Sequence, residues 1–314
     1  MIVQPTPENL ARAGAALRHG KLVVMPTETV YGVAADAWNA EAVMRIFEIK
    51  ERPRENPIIV HVAHPEEAQN VAAEFNEAAR RLTERFWPGP LTVVVPKREE
   101  LPKEVTAGAS TVAIRMPAHQ VALDLIRACG CPIAAPSANR FMQLSPTSAE
   151  AVDARIAEHV EFILDGGPCV VGLESTVVDL TDETPRILRP GGVSRADIEA
   201  CLGTSLGVLP PGALRRSPGM YQRHYAPRSR VEIVDVAPPG SAALVFEEPS
   251  SERQIKMPLD AAAYGAALYR ALRTLDMLED EVIYVEAPPD WPDWEAVYDR
   301  LRKASAHDHG TLDS

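Results

Sequence analysis

Most of the short motifs that give away an enzyme are missing from this sequence. There is no G-x-x-x-x-G-K-[ST] phosphate loop and no G-x-G-x-x-G dinucleotide fingerprint. No serine elbow or paired-cysteine metal motif occurs either. No apolar run reaches about 18 residues, so no spanning helix is expected. Met1-Ile-Val-Gln-Pro lacks a basic stretch followed by an apolar one, so no secretory signal is expected. Cysteine is scarce: Cys129, Cys131, Cys169 and Cys201 are the four, and none stands in a C-x-x-C pair. That argues against structural zinc and for reduced, mostly buried thiols in the cytoplasm. No internal repeat occurs.

What is present fits a soluble globular chain: 314 residues, 46% hydrophobic and 24% charged. The length suggests two domains. The net charge of −12 is uneven, because residues 204–230 carry five Arg and no acid. An acidic protein is a poor general nucleic-acid binder, since phosphate contacts need clustered Lys and Arg. A small basic segment between acidic domains suits a small anionic ligand better than a long polyanion. A solvated linker with incidental arginines is the plain alternative.

Short apolar runs punctuated by Gly and Pro read as strands at Leu22–Met25, Ile58–Val62, Leu91–Val95, Thr111–Arg115, Ile133–Ala135, Phe162–Leu164 and Thr176–Leu180. A helix opens at Thr6-Pro7-Glu8 and a second behind Asn39. Further helices are expected over 66–86, 119–129, 148–158 and 195–202, the third with Thr147 and Glu150 as a capping box. Strands and helices mix without strict alternation, which predicts a twisted α/β sheet of mixed strand direction over 1–203. Residues 204–230 read as a linker. The pattern restarts over 231–314 as a small α/β domain, with strands at Val231–Val236, Ala242–Phe246 and Glu281–Glu286. Helices are expected there over 260–279, with Leu268, Leu272, Leu275 and Leu278 inward, and over 293–304.

Chemistry concentrates at strand ends, where α/β proteins hold ligands. Pro26-Thr-Glu-Thr-Val-Tyr-Gly32 follows one strand and offers Thr27, Glu28, Thr29 and Tyr31; a polar turn is the alternative. Lys50-Glu-Arg52-Pro-Arg-Glu-Asn56 places cations at a helix end, where they grip phosphate or simply complement the helix dipole. His61 orients a substrate or is a satisfied core histidine. Thr111 and Arg115 bracket a strand. Ala135-Pro-Ser137-Ala-Asn139 and Ser145-Pro-Thr147 supply hydroxyls and backbone N–H groups, in an anion site or in ordinary turns. Glu174-Ser175-Thr176 and Leu188-Arg189-Pro-Gly complete the set.

Taken in order over residues 5–205, these pieces, with Trp87-Pro-Gly-Pro-Leu-Thr, resemble the YrdC-like threonylcarbamoyl-AMP synthases. Ser217-Pro-Gly-Met and His224-Tyr-Ala-Pro227 resemble the linker of the longer, two-domain branch, which carries a small Rossmann-like C-terminal domain. The resemblance implies that L-threonine, bicarbonate or CO2, and ATP give threonylcarbamoyl-AMP and pyrophosphate. This is the first step toward threonylcarbamoyladenosine in tRNA. It implies threonine binding by Thr29, His61, Arg115, Ala135 (through its backbone) and Ser175. It implies nucleotide binding by Lys50, Arg52, Asn56, Thr111, Ser137, Ser145, Arg189 and Tyr225, with Lys50 and Arg52 acting on the phosphates and Mg²⁺ accompanying ATP. No metal ligand of the protein's own is implied. The product would pass to a tRNA threonylcarbamoyl transferase, with no direct tRNA binding and no membrane. Segment 204–230 would close as a lid. The alternatives are a YrdC-like RNA-binding module and a carbamoyl-adenylate-forming enzyme of another pathway.

Overall fold

The computed structural model describes residues 1–207 and 223–306. Most of the expected lid, including Ser217-Pro-Gly-Met, Met220 and Tyr221, lies outside the described residues. The chain forms two compact units, the first from Met1–Arg140 and the stretch beginning at Ser145. The second takes in Phe141–Leu144 and the described chain from residue 223.

The first unit is built on a ten-stranded mixed sheet. Its strands are β1 (Ile2–Val3), β2 (Val23–Met25), β3 (Gly32–Asp36), β4 (Val60–His61), β5 (Leu91–Pro96), β6 (Thr111–Arg115), β7 (Ile133–Ala134), β8 (Phe162–Leu164), β9 (Thr176–Asp179) and β10 (Arg186–Arg189). They lie in the order β1-β8-β2-β3-β7-β4-β6-β5-β9-β10. β2 and most of β5 are buried on both faces, so they read as unbroken apolar runs rather than alternating ones. β4 runs parallel to β6 but antiparallel to β7. This mixed pairing brings the ends of β4, β6 and β7 to the places where their loops carry polar residues.

Helices cover the sheet. α1 (Pro7–Arg18) is capped by Thr6, whose hydroxyl accepts the Asn9 N–H at 3.2 Å. A Cβ at Gly14 would meet the Ala128 backbone at 2.6 Å, so α1 can approach that residue only as glycine. α2 (Ala40–Lys50) is capped by Asn39 and carries Lys50 in its last turn.

Three expectations fail locally. The helix over 66–86 is instead a 3-10 turn at Pro65–Asn70 followed by α3 (Glu77–Phe86). Between them the Ala73 N–H bonds Pro96 O and the Arg98 N–H bonds Val71 O, lacing the segment to the end of β5. Asn76 then caps the new helix, accepting the Ala79 N–H at 2.9 Å. The capping box at Thr147 does not form either. Thr147 O accepts the Cys169 N–H, residues 148–152 are turns, and the helix begins behind Asp153 as a short one, Ala154–His159. The strand expected at Ile58–Val62 contracts to Val60–His61, because the Ile58 N–H bonds Val105 O outside the ladder.

The second unit has a four-stranded, all-parallel sheet in the spatial order Arg230–Val234, Val282–Glu286, Ala243–Val245, Gln254–Lys256. A helix, Ala261–Asp276, follows the Asp260 cap and buries Tyr264, Leu268, Leu272 and Leu275. Leu278 lies beyond the helix end and is 44% exposed, against the expectation that it faces inward. The last described helix is Glu295–Ser305. No helix among the described residues is long and apolar enough to cross a membrane.

Candidate active site

The loop after β2 is built by its own hydroxyl. Thr27 Oγ1 accepts the N–H groups of Thr29 (3.2 Å) and Val30 (3.1 Å) and donates to Val30 O at 2.6 Å. Its proton is thereby spent, so Thr29 is the donor in the 2.9 Å contact between the two hydroxyls. Thr29 Oγ1 in turn accepts from Arg115 Nη1 at 2.9 Å. Arg115 closes β6 and also donates from Nε to Gly89 O at 3.2 Å. Its Nη2 lies 2.7 Å from Glu28 Oε1, with both side chains about 4% exposed. That contact is a buried ion pair, so the two groups neutralise each other.

His61 is the register partner of Arg115 across the parallel β4–β6 pair. Burial, and then the Arg115 charge, push its pKa down to about 3, so the imidazole is neutral at any physiological pH. Its Nδ1 is buried with no hydrogen-bond partner. Ala135 follows β7, and its N–H is committed to Ile59 O at 3.0 Å.

A second cluster surrounds Ser175. Its hydroxyl lies 2.7 Å from Thr92 Oγ1, and Arg189 Nη2 donates to it at 3.1 Å. Arg189 also grips Ser175 O through Nε and Nη2 at 3.1 and 2.9 Å. At the neighbouring residue, Glu174 Oε1 accepts from Ser145 Oγ at 2.6 Å.

The cationic segment makes a third cluster. Lys50 is buried, and desolvation followed by the nearby Arg52 charge drives its pKa well below the usual ammonium range. Its Nζ donates to Ser137 O at 2.5 Å and also to Asn139 O, pinning the loop after β7 onto the end of α2. Arg52 donates to Asn56 O (3.2 Å) and Pro57 O (2.8 Å). The Asn56 side chain, held by that turn, is buried with neither Oδ1 nor Nδ2 bonded.

Backbone bonds stitch these loops together. The Tyr31 N–H bonds Pro146 O, the Val33 N–H bonds Pro136 O, the Val171 N–H bonds Glu28 O and the Thr176 N–H bonds Pro90 O. Thr111 opens β6 at the end opposite Arg115, so four strand steps of about 3.3 Å separate the two. Tyr225 belongs to the second unit. It is buried there at φ 58°, stacked on Tyr269 with ring centroids 5.9 Å apart and with the Arg300 guanidinium 4.9 Å from its ring.

This arrangement gathers cations, backbone donors and hydroxyls around open polar atoms, which suits a small ligand bearing both anionic and polar groups. A family model described as telomere recombination (Sua5, YciO and YrdC) matches residues 15–191. A second, described as the C-terminal domain of threonylcarbamoyl-AMP synthase, matches residues 193–306. A threonylcarbamoyl-AMP synthase of Pyrococcus abyssi is 41% identical, over 94% of this chain and 93% of its own. One of Bacillus subtilis is 40% identical, over 94% and 92%.

The chain belongs to the threonylcarbamoyl-AMP synthase family.

The likeness extends to three dimensions. The crystal structure of P. abyssi Sua5 complexed with L-threonine matches with a TM-score of 0.85 and 38% identity, covering 97% of this chain and 96% of that one. Within this family frame three residues stand out that the sequence reading left without a role. Glu28 contacts Arg115, Glu174 accepts from Ser145, and the Asn139 carbonyl accepts from Lys50. All three sit inside quoted motifs, so the signal was a polar residue beside assigned ones. Gly89, inside the quoted Trp87-Pro-Gly-Pro motif, is a fourth, and its carbonyl accepts from Arg115.

Proposed function

We propose that the protein catalyses the formation of threonylcarbamoyl-AMP and pyrophosphate from L-threonine, bicarbonate or CO2, and ATP. The observation that carries this is the buried Thr29–Arg115–Glu28 constellation beside a neutral His61, which suits an amino acid, in a chain of this family. Arg115 pairs with the threonine carboxylate. His61, neutral and with an open Nδ1, meets the side-chain hydroxyl. Ala135 acts through its carbonyl, since its N–H is already used, and Ser175 closes the amino-acid end. Asn56 and Thr111 take the nucleoside. Arg52, Ser137, Ser145 and Arg189 take the phosphates, with Lys50 holding the Ser137–Asn139 loop in place.

The chemistry follows from charge. The amine of threonine adds to CO2 and loses a proton, giving a carbamate. A carbamate oxygen then attacks the α-phosphorus, a new P–O bond forms, and the bond to pyrophosphate breaks. Both reactants are anions, so their repulsion is part of the barrier. Fixed guanidinium groups offset that repulsion and stabilise charge on the leaving pyrophosphate. Holding the reactants in contact contributes about 7–11 kcal/mol in favourable cases. Among the described residues no cluster of three acidic, His or Cys groups exists to cage a divalent ion. Mg²⁺ therefore enters as part of the ATP substrate, and no step is assigned to it.

The product is a mixed anhydride, which must be consumed by acyl transfer to an amine; we assign that to a tRNA threonylcarbamoyl transferase acting on adenosine. Free thiols and ATP use suit the cytoplasm. Pyrophosphate release with ATP and bicarbonate tests the proposal, with threonine compared against serine, valine and no amino acid. A threonine-selective signal is expected. Release independent of the amino acid would overturn it.

A further inference from the structure

Two of the four cysteines meet in the fold. The helix Gln120–Cys129 ends on Cys129, and Cys131 stands two residues before β7. Only Gly130 separates them, and their Sγ atoms lie 3.2 Å apart. Both thiols are free, and the chemistry proposed above uses neither. Cys129 is 2% exposed and Cys131 is half-buried, so solvent reaches the pair from the Cys131 side. Gly130 has φ 75°, and a Cβ there would meet nothing within 4 Å, so the turn between the thiols has room to flex.

A metal does not account for the pair. Two Zn–S bonds of about 2.3 Å at a tetrahedral angle hold their sulfurs about 3.8 Å apart. Among the described residues no cluster of three ligating groups exists either. Sulfurs this close suit a covalent bond to each other. The charges agree. The Cys131 S–H donates to a Cys129 thiolate and draws the first ionisation of the pair below the ordinary thiol range, and the Arg18 guanidinium adds to this. The second ionisation is pushed up by that first thiolate and then by burial, with Asp36 close by. One thiolate beside one thiol is the reactive pairing for disulfide formation.

We propose that Cys129 and Cys131 are an oxidative modification site, which a peroxide converts to a disulfide that reversibly displaces the loop after β7. A thiolate sulfur of the pair attacks one peroxide oxygen. An S–O bond forms, the O–O bond breaks, and the leaving oxygen takes up a proton. The second sulfur then attacks the sulfenic sulfur. The S–S bond forms, the S–O bond breaks, and hydroxide leaves with the remaining thiol proton as water. With hydrogen peroxide, two electrons pass from the thiols to the oxidant and two waters result. A disulfide of about 2.05 Å requires the sulfurs to close by roughly 1 Å. The Cys129 side is anchored, because Arg18 holds the carbonyls of Ala128 and Cys129, and Gly14 packs on the Ala128 backbone. Cys131 therefore moves. Pro132, whose carbonyl accepts the Ala37 N–H at 3.0 Å, and Ile133, the register partner of Asp36, move with it. Ala135 and Ser137 of the candidate site follow directly on that strand.

Hydrogen peroxide treatment of the whole protein, labelling with N-ethylmaleimide and tryptic mass analysis read the modification directly. Trypsin releases Ala128–Arg140, which holds both cysteines. That peptide should lose two hydrogens and take up no label, and dithiothreitol should restore two labelled thiols. Cys169 and Cys201 are the internal controls and should still label after unfolding. Two labelled thiols in the treated peptide, or sulfinic acids in place of the disulfide, would overturn the proposal. Amide hydrogen exchange over Ile133–Ser137 should speed up in the oxidised protein and recover with dithiothreitol. Unchanged exchange in protein that carries the disulfide would refute the displacement. Threonine-dependent pyrophosphate release should fall by roughly 3–30-fold on oxidation. The double variant Cys129→Ser, Cys131→Ser should keep its turnover under peroxide, and an equal loss there would place the damage elsewhere and sink the inference. Should that variant fail to fold, the mass and exchange measurements on the unaltered protein decide. Neither depends on turnover, so a chain that forms the disulfide yet releases no pyrophosphate with threonine would remove the proposed function and leave this site standing.

Discussion

Replacing Gly191 with alanine should damage the site through backbone atoms alone. A Cβ on Gly191 would lie 2.2 Å from Glu174 O and 2.4 Å from both Ser175 C and Thr176 N. Ordinary contacts begin near about 3.4 Å, so something must move by roughly 1 Å. None of the three atoms can swing aside by rotating a side chain. Their strand is also tied down, because the Thr176 N–H bonds Pro90 O at 2.9 Å and the Thr176 hydroxyl donates to Val193 O at 2.6 Å. Overpacking of this kind costs about 1–3 kcal/mol, which lowers Tm by roughly 2–12 °C in a unit of this size. A shift of about 1 Å at Ser175 and its partner Arg189 should cut threonine-dependent pyrophosphate release by on the order of 100-fold. Gly203→Ala is the matched control. Gly203 sits at φ 71° behind the helix Arg195–Leu202, and a Cβ there meets nothing within 4 Å. It should cost about 1–2 kcal/mol of backbone strain and leave turnover unchanged. If Gly191→Ala kept both Tm and turnover, the close approach of the Pro190–Gly192 turn to the Glu174–Thr176 backbone would be refuted.

Three further outcomes can be measured. Asn56→Leu removes two buried polar atoms with no partner, so thermal unfolding of the free protein should be unchanged or up to about 2 kcal/mol more favourable to the fold, while ATP binding weakens; a large stability loss would show that the side chain is bonded internally. Thr27→Val removes the acceptor for two N–H groups and the donor to Val30 O, costing about 2–4 kcal/mol in denaturant unfolding, with Thr27→Ser restoring most of it. His61 has a folded pKa near 3, below its ordinary value of 6.5, so its contribution to stability is full above pH 6.5 and lost as pH falls toward 3. His61→Leu should therefore flatten the acid limb of the stability curve in that window by on the order of a few kcal/mol, and an unaltered limb would place the imidazole in contact with water.

The strands that the sequence announces are those that bury both faces. β2, β5, β6, β8 and β9 are short apolar runs between turn residues and fall within a residue or so of their expected places. β3 was unreadable for a physical reason. Gly32-Val-Ala-Ala-Asp36 is rich in small residues with little preference for strand, and it becomes one by pairing with β2 on one side and β7 on the other. The helix over 66–86 failed where non-local bonds to the end of β5 outbid a helical pattern, and the capping box at Thr147 failed where Cys169 claimed the Thr147 carbonyl. In both cases a local signal met a partner far along the chain.

The same division runs through the site. Strand ends and polar loops are local, so Thr29, Arg115, Ser137 and Ser175 could be singled out from sequence. Whether a polar atom is satisfied is not local, because its partner arrives from another loop. Lys50, read as a phosphate ligand on a helix end, also donates to the carbonyls of Ser137 and Asn139 and so fixes the loop that presents Ser137. Arg189 likewise spends Nε and Nη2 on Ser175. Asn56 is the reverse case: the fold buries it while neither Oδ1 nor Nδ2 makes a hydrogen bond. Such atoms call for a completing group, water or ligand, because each would otherwise subtract from a stability of only about 5–15 kcal/mol. The residues that finish their hydrogen bonds inside the protein are therefore the frame, and Asn56, which does not, is where substitution should touch ATP binding more than the fold.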